Sequence, residues 1–554
     1  MHDNKKAPGS MTRTFPRFGY NPVTGEWNDS LKGDYFWSSV NVSEAVPDVM
    51  TPSTWSLLWI YFFEIHPVEF PGEHPICGNI CGRPYVNLSM TTSLYHAVGL
   101  DASKEKFGDL LGSTPPEFDI PYLPFSPLTV IWHVLPGLLK DQRLTRRDCQ
   151  QFQEYLTFLS KWIQATRPRI QQCTDASGLL SLWVDSIRPA KVRADRMLRS
   201  ITTSLSEPAT KLNLELTALV GEAETNTLLS NFSGAGGDLE SLGPLMGLAM
   251  VKDGRLSREE YIERYGHRGP HEVELYFPAS SDDPDWFEKR LADFTRSPVD
   301  MDALLAKQHA EFEAAWRRFE VRFPNKYRAF RRKLDLVTVA AKNRESIRSE
   351  SIRLSRLIRR FLLQVGSVTG AGDDIFFLSL DEVTELLNNK KQSLSHIPAR
   401  REIYQRYCAL PPYPALIYGH FDPFQWAADP NRRNDFYDVR KKEVIAISTA
   451  IKGHAGAAGC VEGIVRRIDC VEDGNQILRG EILVTTITNV GWTPLFPRLA
   501  AIVTDVGAPL SHAAIVAREM GIPAVVGCGN ATMRLKTGDR VRVDGGRGVV
   551  EILG

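Results

Sequence analysis

A histidine at the start of a short helix is the residue of this sequence best placed to do chemistry. His512 follows Ser511, a favourable N-cap, and small residues form a turn at 507–509. Gly521 is expected to end the helix. Because the first turn of a helix has unpaired N–H groups and a partial positive charge, a phosphate on this imidazole would find donors there, including the Ser511 hydroxyl. Neutral imidazole is also a nucleophile, so the segment predicts a phosphohistidine; the alternative is a histidine that only hydrogen-bonds at a helix start.

Two arginines four residues apart are candidates for holding an anion. Arg344 and Arg348 share one face of a predicted helix. Two guanidiniums on one face grip a phosphate or a carboxylate through paired hydrogen bonds. The alternative is a solvated basic face, because more arginines follow at Arg353, Arg356, Arg359 and Arg360.

Two further segments carry polar residues that are candidates for substrate binding. His267 and Arg268 belong to a basic loop flanked by glycines, which would contact an incoming phosphate or the C-terminal domain. A purely structural turn is the alternative. Asn41, Glu44 and Thr51 lie in an upstream loop whose polar groups would face an acceptor. Packing and turn roles are the alternative for these three.

The bulk properties restrict the class of protein. At 554 residues, the chain is long enough for roughly three to five domains. Lys+Arg and Asp+Glu are each 66, and this balance argues against a nucleic-acid coat or an anionic-membrane binder. The eight cysteines are scattered, so neither a disulfide framework nor a zinc site is expected. With no secretory signal and only a short apolar run at 55–63, we expect a soluble cytoplasmic protein.

The chain divides into three parts. Residues 1–30 are polar and rich in Pro, Gly and Asn, which predicts a flexible leader. Residues 31–435 predict a mostly α-helical body, with long helices over 283–365 and a short strand within 373–382. A linker is expected around 412–440, where an aromatic and Pro-rich segment is followed by polar and charged residues.

The last part, 450–554, predicts a compact α/β domain. Its one short helix, 512–520, lies between two strand-like runs. The predicted strands are 463–468, 481–486, 500–504, 524–526, 540–544 and 549–553.

One string of residues carries a family resemblance. Residues 511–519 read Ser-His-Ala-Ala-Ile-Val-Ala-Arg-Glu, and 521–527 continue with Gly-Ile-Pro-Ala-Val-Val-Gly. With Gly-Trp-Thr-Pro-Leu-Phe at 491–496, they make residues 453–553 resemble the swivelling phosphohistidine domain of the PEP-utilising enzymes, the family of PEP synthase and rifampicin phosphotransferase. Segments nearer the N-terminus, such as Gly-His-Arg-Gly-Pro-His-Glu at 266–272, resemble the acceptor-binding body of that family more loosely.

The resemblance implies a phosphotransferase. In such an enzyme His512 accepts a phosphoryl group and passes it to an acceptor in the helical body, with Arg344 and Arg348 near the reacting hydroxyl. The acceptor would be pyruvate, a natural-product hydroxyl or a carboxylate. Neither an Arg-Ser-Ser motif nor a Gly-rich phosphate loop of an ATP-grasp domain is found, so ATP and Mg²⁺ are expected on a separate ATP-grasp protein. A ligase component that activates a carboxylate and a non-catalytic binding protein are the alternatives.

Overall fold

The chain forms a mainly helical body followed by a C-terminal α/β domain, as the sequence predicts. The computed structural model describes residues 19–40, 42–68, 74–100, 120–229, 242–296, 301–430, 432–440, 450–509 and 511–553. Among these residues, every helix falls short of the length and apolar character that crossing a bilayer requires.

The body is built from amphipathic helices whose apolar faces point inward. In Phe152–Gln172, for example, the buried residues recur every three or four positions. The body helices are Val42–Ala45, Pro52–Trp59, Leu88–Ala97, Pro127–Gln150, Phe152–Gln172, Ala176–Leu182, Arg188–Val220, Glu222–Leu228, Gly243–Lys252, Arg258–Tyr265, Trp286–Arg296, Met301–Arg322, Pro324–Thr369, Leu380–Leu387, Ile397–Cys408 and Pro423–Ala428. Short 3-10 or π segments occur at Asp29–Lys32, Ile60–Glu64, Trp183–Ile187, Ser280–Asp282, Gly372–Phe377 and Gln392–His396.

One helix of 46 residues, Pro324–Thr369, is the axis of the body. Proline is tolerated in its first turn because the N–H there needs no helical partner, and Gly370 ends the helix in the left-handed conformation at φ 75°. The helix packs against Phe152–Gln172 and Arg188–Val220. Its middle carries the two arginines of the predicted anion site, one turn apart.

A five-stranded sheet also belongs to the body, and the sequence did not predict it. Its strands are paired in the order Cys77–Ile80, Arg83–Asn87, Phe36–Ser38, Leu416–Tyr418 and Phe436–Asp438. Only the last pair is parallel. The predicted linker around 412–440 is therefore wrong as far as residue 438, because both of its strands are part of this sheet.

Two smaller predictions also differ from the structure. The predicted leader ends too late, because Trp27 is only 4% exposed and Asn28 bridges to Ile80 on the body; residues 1–18 lie outside the described part. The predicted strand within 373–382 is instead a 3-10 segment, Gly372–Phe377, followed by a helix that Ser379 caps.

The C-terminal domain contains all six predicted strands and two more. Neighbouring strands follow the order Ala450–Lys452, Val549–Ile552, Arg540–Asp544, Cys460–Arg467, Ile482–Thr485, Ala501–Thr504, Ala524–Val526 and His454–Ala457. Four neighbouring strands of this order, from Cys460–Arg467 through Ile482–Thr485 and Ala501–Thr504 to Ala524–Val526, run parallel to one another. The other pairings are antiparallel. Its helices are His512–Met520 and Ala531–Arg534, with 3-10 segments at Val471–Gln476 and Val490–Arg498.

The body and the C-terminal domain share an apolar core. Leu245 and Phe287 of the body pack in one cluster with Trp492, Phe496 and Ala513 of the domain. This packing places the start of the helix His512–Met520 against the body.

Candidate active site

The predicted start of the histidine helix is confirmed in its local detail. The helix is His512–Met520, and the Ser511 side chain accepts a hydrogen bond from the N–H of Ala514. In the preceding turn, a Cβ at Gly507 would lie 3.1 Å from the Cβ of Val526 and 3.2 Å from the Oγ of Ser511, so the turn leaves little room for a larger residue. The helix begins eight residues after the strand Ala501–Thr504 ends, so a short connection separates its first turn from the carboxyl end of that strand.

Two threonines orient the half-buried imidazole of His512. Thr488 Oγ1 lies 3.2 Å from Nδ1, and Thr493 Oγ1 lies 3.3 Å from Nε2. The ring also meets the edge of Phe496, with 5.9 Å between ring centroids. One threonine hydroxyl can donate to the ring nitrogen that has the lone pair, while the other accepts from the ring N–H. Together the two contacts fix the ring plane. The sequence did not single out either threonine.

The surroundings keep His512 neutral. Burial of the ring, together with the positive charges of Arg348 and Arg268, lowers the pKa of His512 to about 3, although Glu345 acts in the opposite direction. At neutral pH the imidazole therefore has a free lone pair, which nucleophilic attack on phosphorus requires.

Glu44 of the body makes the direct contact with the histidine helix. Its Oε2 accepts a hydrogen bond of 3.1 Å from the backbone N–H of His512. Burial raises the pKa of Glu44 to about 7, although this N–H and the charges of Arg348 and Arg344 favour the ionised form. The carboxylate thus occupies the helix N-terminus, where a phosphate would find its donors.

A cluster of arginines and glutamates surrounds this contact. Arg344 pairs with Glu345 at 2.8 Å, while Arg348 and Arg268 both pair with Glu272, at 3.3 and 2.8 Å. Burial would raise the pKa of Glu345, but the three arginines lower it to about 2. Because Glu272 pairs with two guanidinium groups, its single negative charge does not neutralise both Arg268 and Arg348.

Arg268 and Arg344 retain hydrogen-bonding groups that the described residues do not satisfy. Arg268 is 3% exposed, yet neither its Nη1 nor its Nη2 has a partner there, and the same holds for Nε of Arg344. Buried donors are rarely left unpaired. A phosphoryl group on His512 would supply the missing acceptor oxygens.

The other predicted site residues lie at different distances from this cluster. His267 is buried next to it: its Nε2 lies 2.8 Å from Ser349 Oγ, and burial and nearby arginines hold its pKa well below the usual value. Thr51 caps the helix Pro52–Trp59 and donates from Oγ1 to Glu274 at 2.7 Å, so its contacts are structural. Asn41 lies outside the described residues.

A cavity of about 190 Å³ lies between the body and the C-terminal domain. Ser43, Asn489 and Trp492 line it, and each is a sequence neighbour of a residue that contacts His512. The body also contributes Asp48, Arg83, Tyr85, His271 and Tyr413, and the domain contributes Cys470, Glu472, Thr486, Ile487 and Val506.

Around this cavity, polar side chains of the body and of the C-terminal domain contact each other. His271 lies 2.7 Å from Asp48 through Nδ1 and 3.2 Å from Glu472 through Nε2. Burial lowers the pKa of His271, but the hydrogen bonds to the two carboxylates prevail and raise it to about 10. Asn489 also donates to the carbonyl of Pro270 at 3.0 Å. The domain is thus docked by charged and neutral hydrogen bonds together.

The described residues contain no group of three or more His, Cys, Asp and Glu side chains arranged to hold a metal ion. The location of Mg²⁺ and ATP therefore stays a prediction from the sequence.

Two family profiles match the chain. The profile of the PEP-utilising enzyme mobile domain matches residues 477–548, which include His512. The profile of the rifampicin phosphotransferase fourth domain matches residues 169–345, which include the basic loop and Arg344.

Curated relatives match over parts of their length. A rifampicin phosphotransferase of Bacillus cereus is 38% identical over 181 residues, which are 33% of this chain and 19% of the relative. One of Streptomyces sviceus is 28% identical over 345 residues, 55% of this chain and 36% of the relative. An uncharacterised protein of Mycobacterium tuberculosis is 31% identical over 302 residues, 52% of this chain and 30% of the relative. The chain spans well under half the length of each of these three.

Proposed function

This chain belongs to the PEP-utilising enzyme family, and we propose that it is the carrier and acceptor-binding component of a phosphotransferase. His512 takes a phosphoryl group from ATP and transfers it to a small molecule bound by the helical body. ATP and Mg²⁺ are proposed to be held by an ATP-grasp unit.

One observation supports this proposal most strongly: a neutral nucleophile is docked near a buried guanidinium group that has hydrogen-bond donors left over. His512 has its pKa lowered to about 3, partly by the charge of Arg268, and two nitrogens of Arg268 have no partner among the described residues. A structural histidine at a helix start would need neither feature. A site that stabilises negative charge developing on a transferred phosphoryl group needs both.

The proposed chemistry has two balanced steps. In the first, an imidazole nitrogen of His512 attacks the γ-phosphorus of ATP, an N–P bond forms, the bond to the bridging oxygen breaks, and ADP leaves. In the second, the acceptor hydroxyl attacks the same phosphorus, the N–P bond breaks, and the imidazole leaves as the neutral ring, with the N–H that it kept on its other nitrogen. The hydroxyl proton is proposed to go to the carboxylate of Glu44, which has its pKa raised to about 7 and contacts the first turn of the histidine helix.

The arginine cluster would act on the second step. Arg268, Arg344 and Arg348 present guanidinium groups that match the geometry of a phosphoryl group. Glu272 and Glu345 hold these arginines in place through their ion pairs. When the phosphorylated domain docks, the phosphoryl group competes with Glu44 for the N–H of His512.

Chemical phosphorylation tests the carrier role without any nucleotide-binding unit. Phosphoramidate transfers a phosphoryl group directly to histidine, and peptide mass spectrometry locates it. We expect an acid-labile phosphoryl group at residue 512 in the wild type and in His420→Ala, a control that removes an exposed histidine. His512→Ala should lack it.

A second measurement tests the transfer itself. The phosphorylated chain is incubated with a panel of alcohols and hydroxy acids, and loss of phosphohistidine is followed by ³¹P nuclear magnetic resonance. A new phosphate ester with one of them supports the proposal. If the wild type takes up no phosphoryl group at His512, from phosphoramidate or from ATP with an ATP-grasp protein, the proposal is wrong.

A further inference from the structure

We infer that Gly491 is a positioning residue for the proposed transfer. Because it has no side chain, the loop that orients His512, residues 488–493, closes on the basic loop of the body, residues 266–272. We call residues 488–493 the threonine loop. The inference rests on the proposed function, since only a transferred phosphoryl group gives the position of His512 relative to Arg268 its purpose. It adds the contact that sets this position.

The threonine loop contacts the imidazole and the body at the same time. Thr488 and Thr493 lie 3.2 and 3.3 Å from the two ring nitrogens of His512. Between these threonines, Asn489 donates from Nδ2 to the carbonyl of Pro270 at 3.0 Å. A displacement of this loop from the body therefore moves the contacts that orient the ring.

Gly491 lies directly against Pro270 of the basic loop. A Cβ at Gly491 would lie 2.8 Å from Cα and 2.9 Å from N and Cβ of Pro270. Carbon atoms that are not bonded pack at about 3.5–4.0 Å, so an alanine fits only if one of the two loops gives way. The φ of Gly491 lies outside the positive range that favours glycine. What an alanine would meet is therefore the body and not a strained backbone.

The basic loop is held to the central helix Pro324–Thr369 by contacts near both of its ends. The contacting pairs are His267 with Ser349, the carbonyl of His271 with Arg356, and Glu272 with Arg348, at 2.8, 2.9 and 3.3 Å. A side chain at position 491 would therefore push the threonine loop away from the body rather than move the basic loop.

The two loops carry the two sides of the transfer. The threonine loop orients His512, while the basic loop carries Arg268, whose charge lowers the pKa of His512 and whose Nη1 and Nη2 have no partner among the described residues. A misplacement of about 1 Å costs a transfer reaction roughly a hundredfold in rate. The contact between Gly491 and Pro270 thus fixes the phosphoryl carrier relative to the cation that would stabilise the transferred group.

Hydrogen exchange of the full, unphosphorylated chain, followed by mass spectrometry at neutral pH, tests this contact. Gly491→Ala should speed exchange of both 488–493 and 266–272 by about tenfold, because overpacking of this kind shifts a packing equilibrium by at least that factor. The strands within 540–553 and the buried stretch 352–365 should exchange as in the wild type. A glycine needed only for the fold of its own domain would leave the basic loop of the body protected.

Two further variants separate the contact from the fold. Gly19→Ala makes the same change at an exposed glycine whose Cβ would meet nothing within 4 Å, and it should leave exchange of both loops unchanged. Asn489→Ser keeps a side-chain oxygen that caps the segment Val490–Arg498 but removes the donor to the carbonyl of Pro270. It should speed exchange of the same two loops, and it tests the contact even if Gly491→Ala does not fold.

Labelling with phosphoramidate measures the consequence for the carrier. Thr488, Thr493 and Phe496 contact the ring of His512 in the docked chain. Gly491→Ala loosens this cover, so it should speed labelling of His512 by about the same factor as exchange of the two loops. Labelling at the rate of the wild type, with both loops more open, would show that the contact does not position the ring.

The exchange experiment separates this inference from the carrier role, because it needs no phosphoryl group. The inference is overturned if Gly491→Ala and Asn489→Ser leave exchange of the basic loop unchanged, or if Gly491→Ala speeds exchange throughout residues 450–554. Such a result leaves phosphorylation of His512 in the wild type unaffected. If both loops respond but His512 takes up no phosphoryl group in any variant, the docking contact stands and the proposed transfer is wrong.

Discussion

Replacing Glu44 with glutamine is expected to make docking of the C-terminal domain sensitive to acid. The pKa values of two groups in the docking contact shift in opposite directions, mainly because each side chain is removed from water there. Docking raises the pKa of Glu44 from 4.5 to about 7 and lowers that of His512 from 6.5 to about 3. Glutamine keeps the acceptor oxygen for the N–H of His512 but does not titrate.

The sign of the effect follows from proton counting. Between pH 4.5 and 6.5, the docked form binds one more proton at Glu44 and one fewer at His512 than the undocked form. The two contributions cancel in the wild type. In Glu44→Gln only His512 remains, so each pH unit below 6.5 should disfavour docking by up to about 1.4 kcal/mol, or roughly tenfold. This is an upper value, because both side chains are only half-buried.

The charged groups that act on Glu44 and His512 do not disturb this cancellation. Glu345, with a pKa lowered to about 2, and the neighbouring arginines keep their charges throughout the window. His271 stays protonated, since its pKa is raised to about 10. The hydrogen bond from His271 lowers the pKa of Glu472 and so favours its ionised form.

Hydrogen exchange followed by mass spectrometry measures docking. Protection of the segment 486–496, corrected for the intrinsic pH dependence of exchange, is compared with that of the buried stretch 352–365 in the central helix. We expect a flat ratio for the wild type and for Glu385→Gln, an exposed control, and a falling ratio for Glu44→Gln. A flat profile for Glu44→Gln, or a steep one for the wild type, would refute the opposing shifts.

Three other substitutions have defined outcomes. Arg268→Met should slow transfer from phosphorylated His512 by about 10²–10³, the range for loss of one donor to a developing charge, with little change in thermal stability because Arg348 still pairs with Glu272; equal loss in stability and rate would contradict this. Thr493→Val should raise the activation free energy of transfer by about 0.5–1.5 kcal/mol, because the imidazole loses one hydrogen bond that orients it. Single-turnover transfer measures this, and an unchanged rate would show that the ring does not need the contact. Gly521→Ala should lower the free energy of unfolding in urea by about 1–2 kcal/mol, because φ is 64° there; unchanged stability would contradict this.

Local signals in the sequence were sufficient to predict the histidine helix and the strands around it. Ser511, the small-residue turn and Gly521 act within a few residues of His512, so their effect is visible without the rest of the fold. The spacing of Arg344 and Arg348 likewise predicts a shared helix face. The assignment of these residues to a phosphoryl transfer site stays a prediction.

Features that depend on distant segments could not be predicted in the same way. The five-stranded sheet consists of strands of three to five residues, too short for alternation to be recognised, and its partners come from opposite ends of the body. Glu272 pairs with Arg348 and Arg268 across 76 and four residues. Thr488 and Thr493 act only because a 3-10 segment folds back over the imidazole, and no spacing in the sequence indicates that.

The apolar core that the body shares with the C-terminal domain determines which residues would move together. If residues 450–554 were displaced alone, Leu245, Phe287 and Trp492 would enter water, and each such side chain is stabilised by about 1.5–3 kcal/mol when buried. If residues 242–296 accompanied the domain, that cluster would stay dry, but Leu275 would leave the core of the body and the buried Glu274 would lose its hydrogen bonds from Thr51. Residues 242–296 are therefore packed against both units, and moving the carrier domain in either way exposes buried groups.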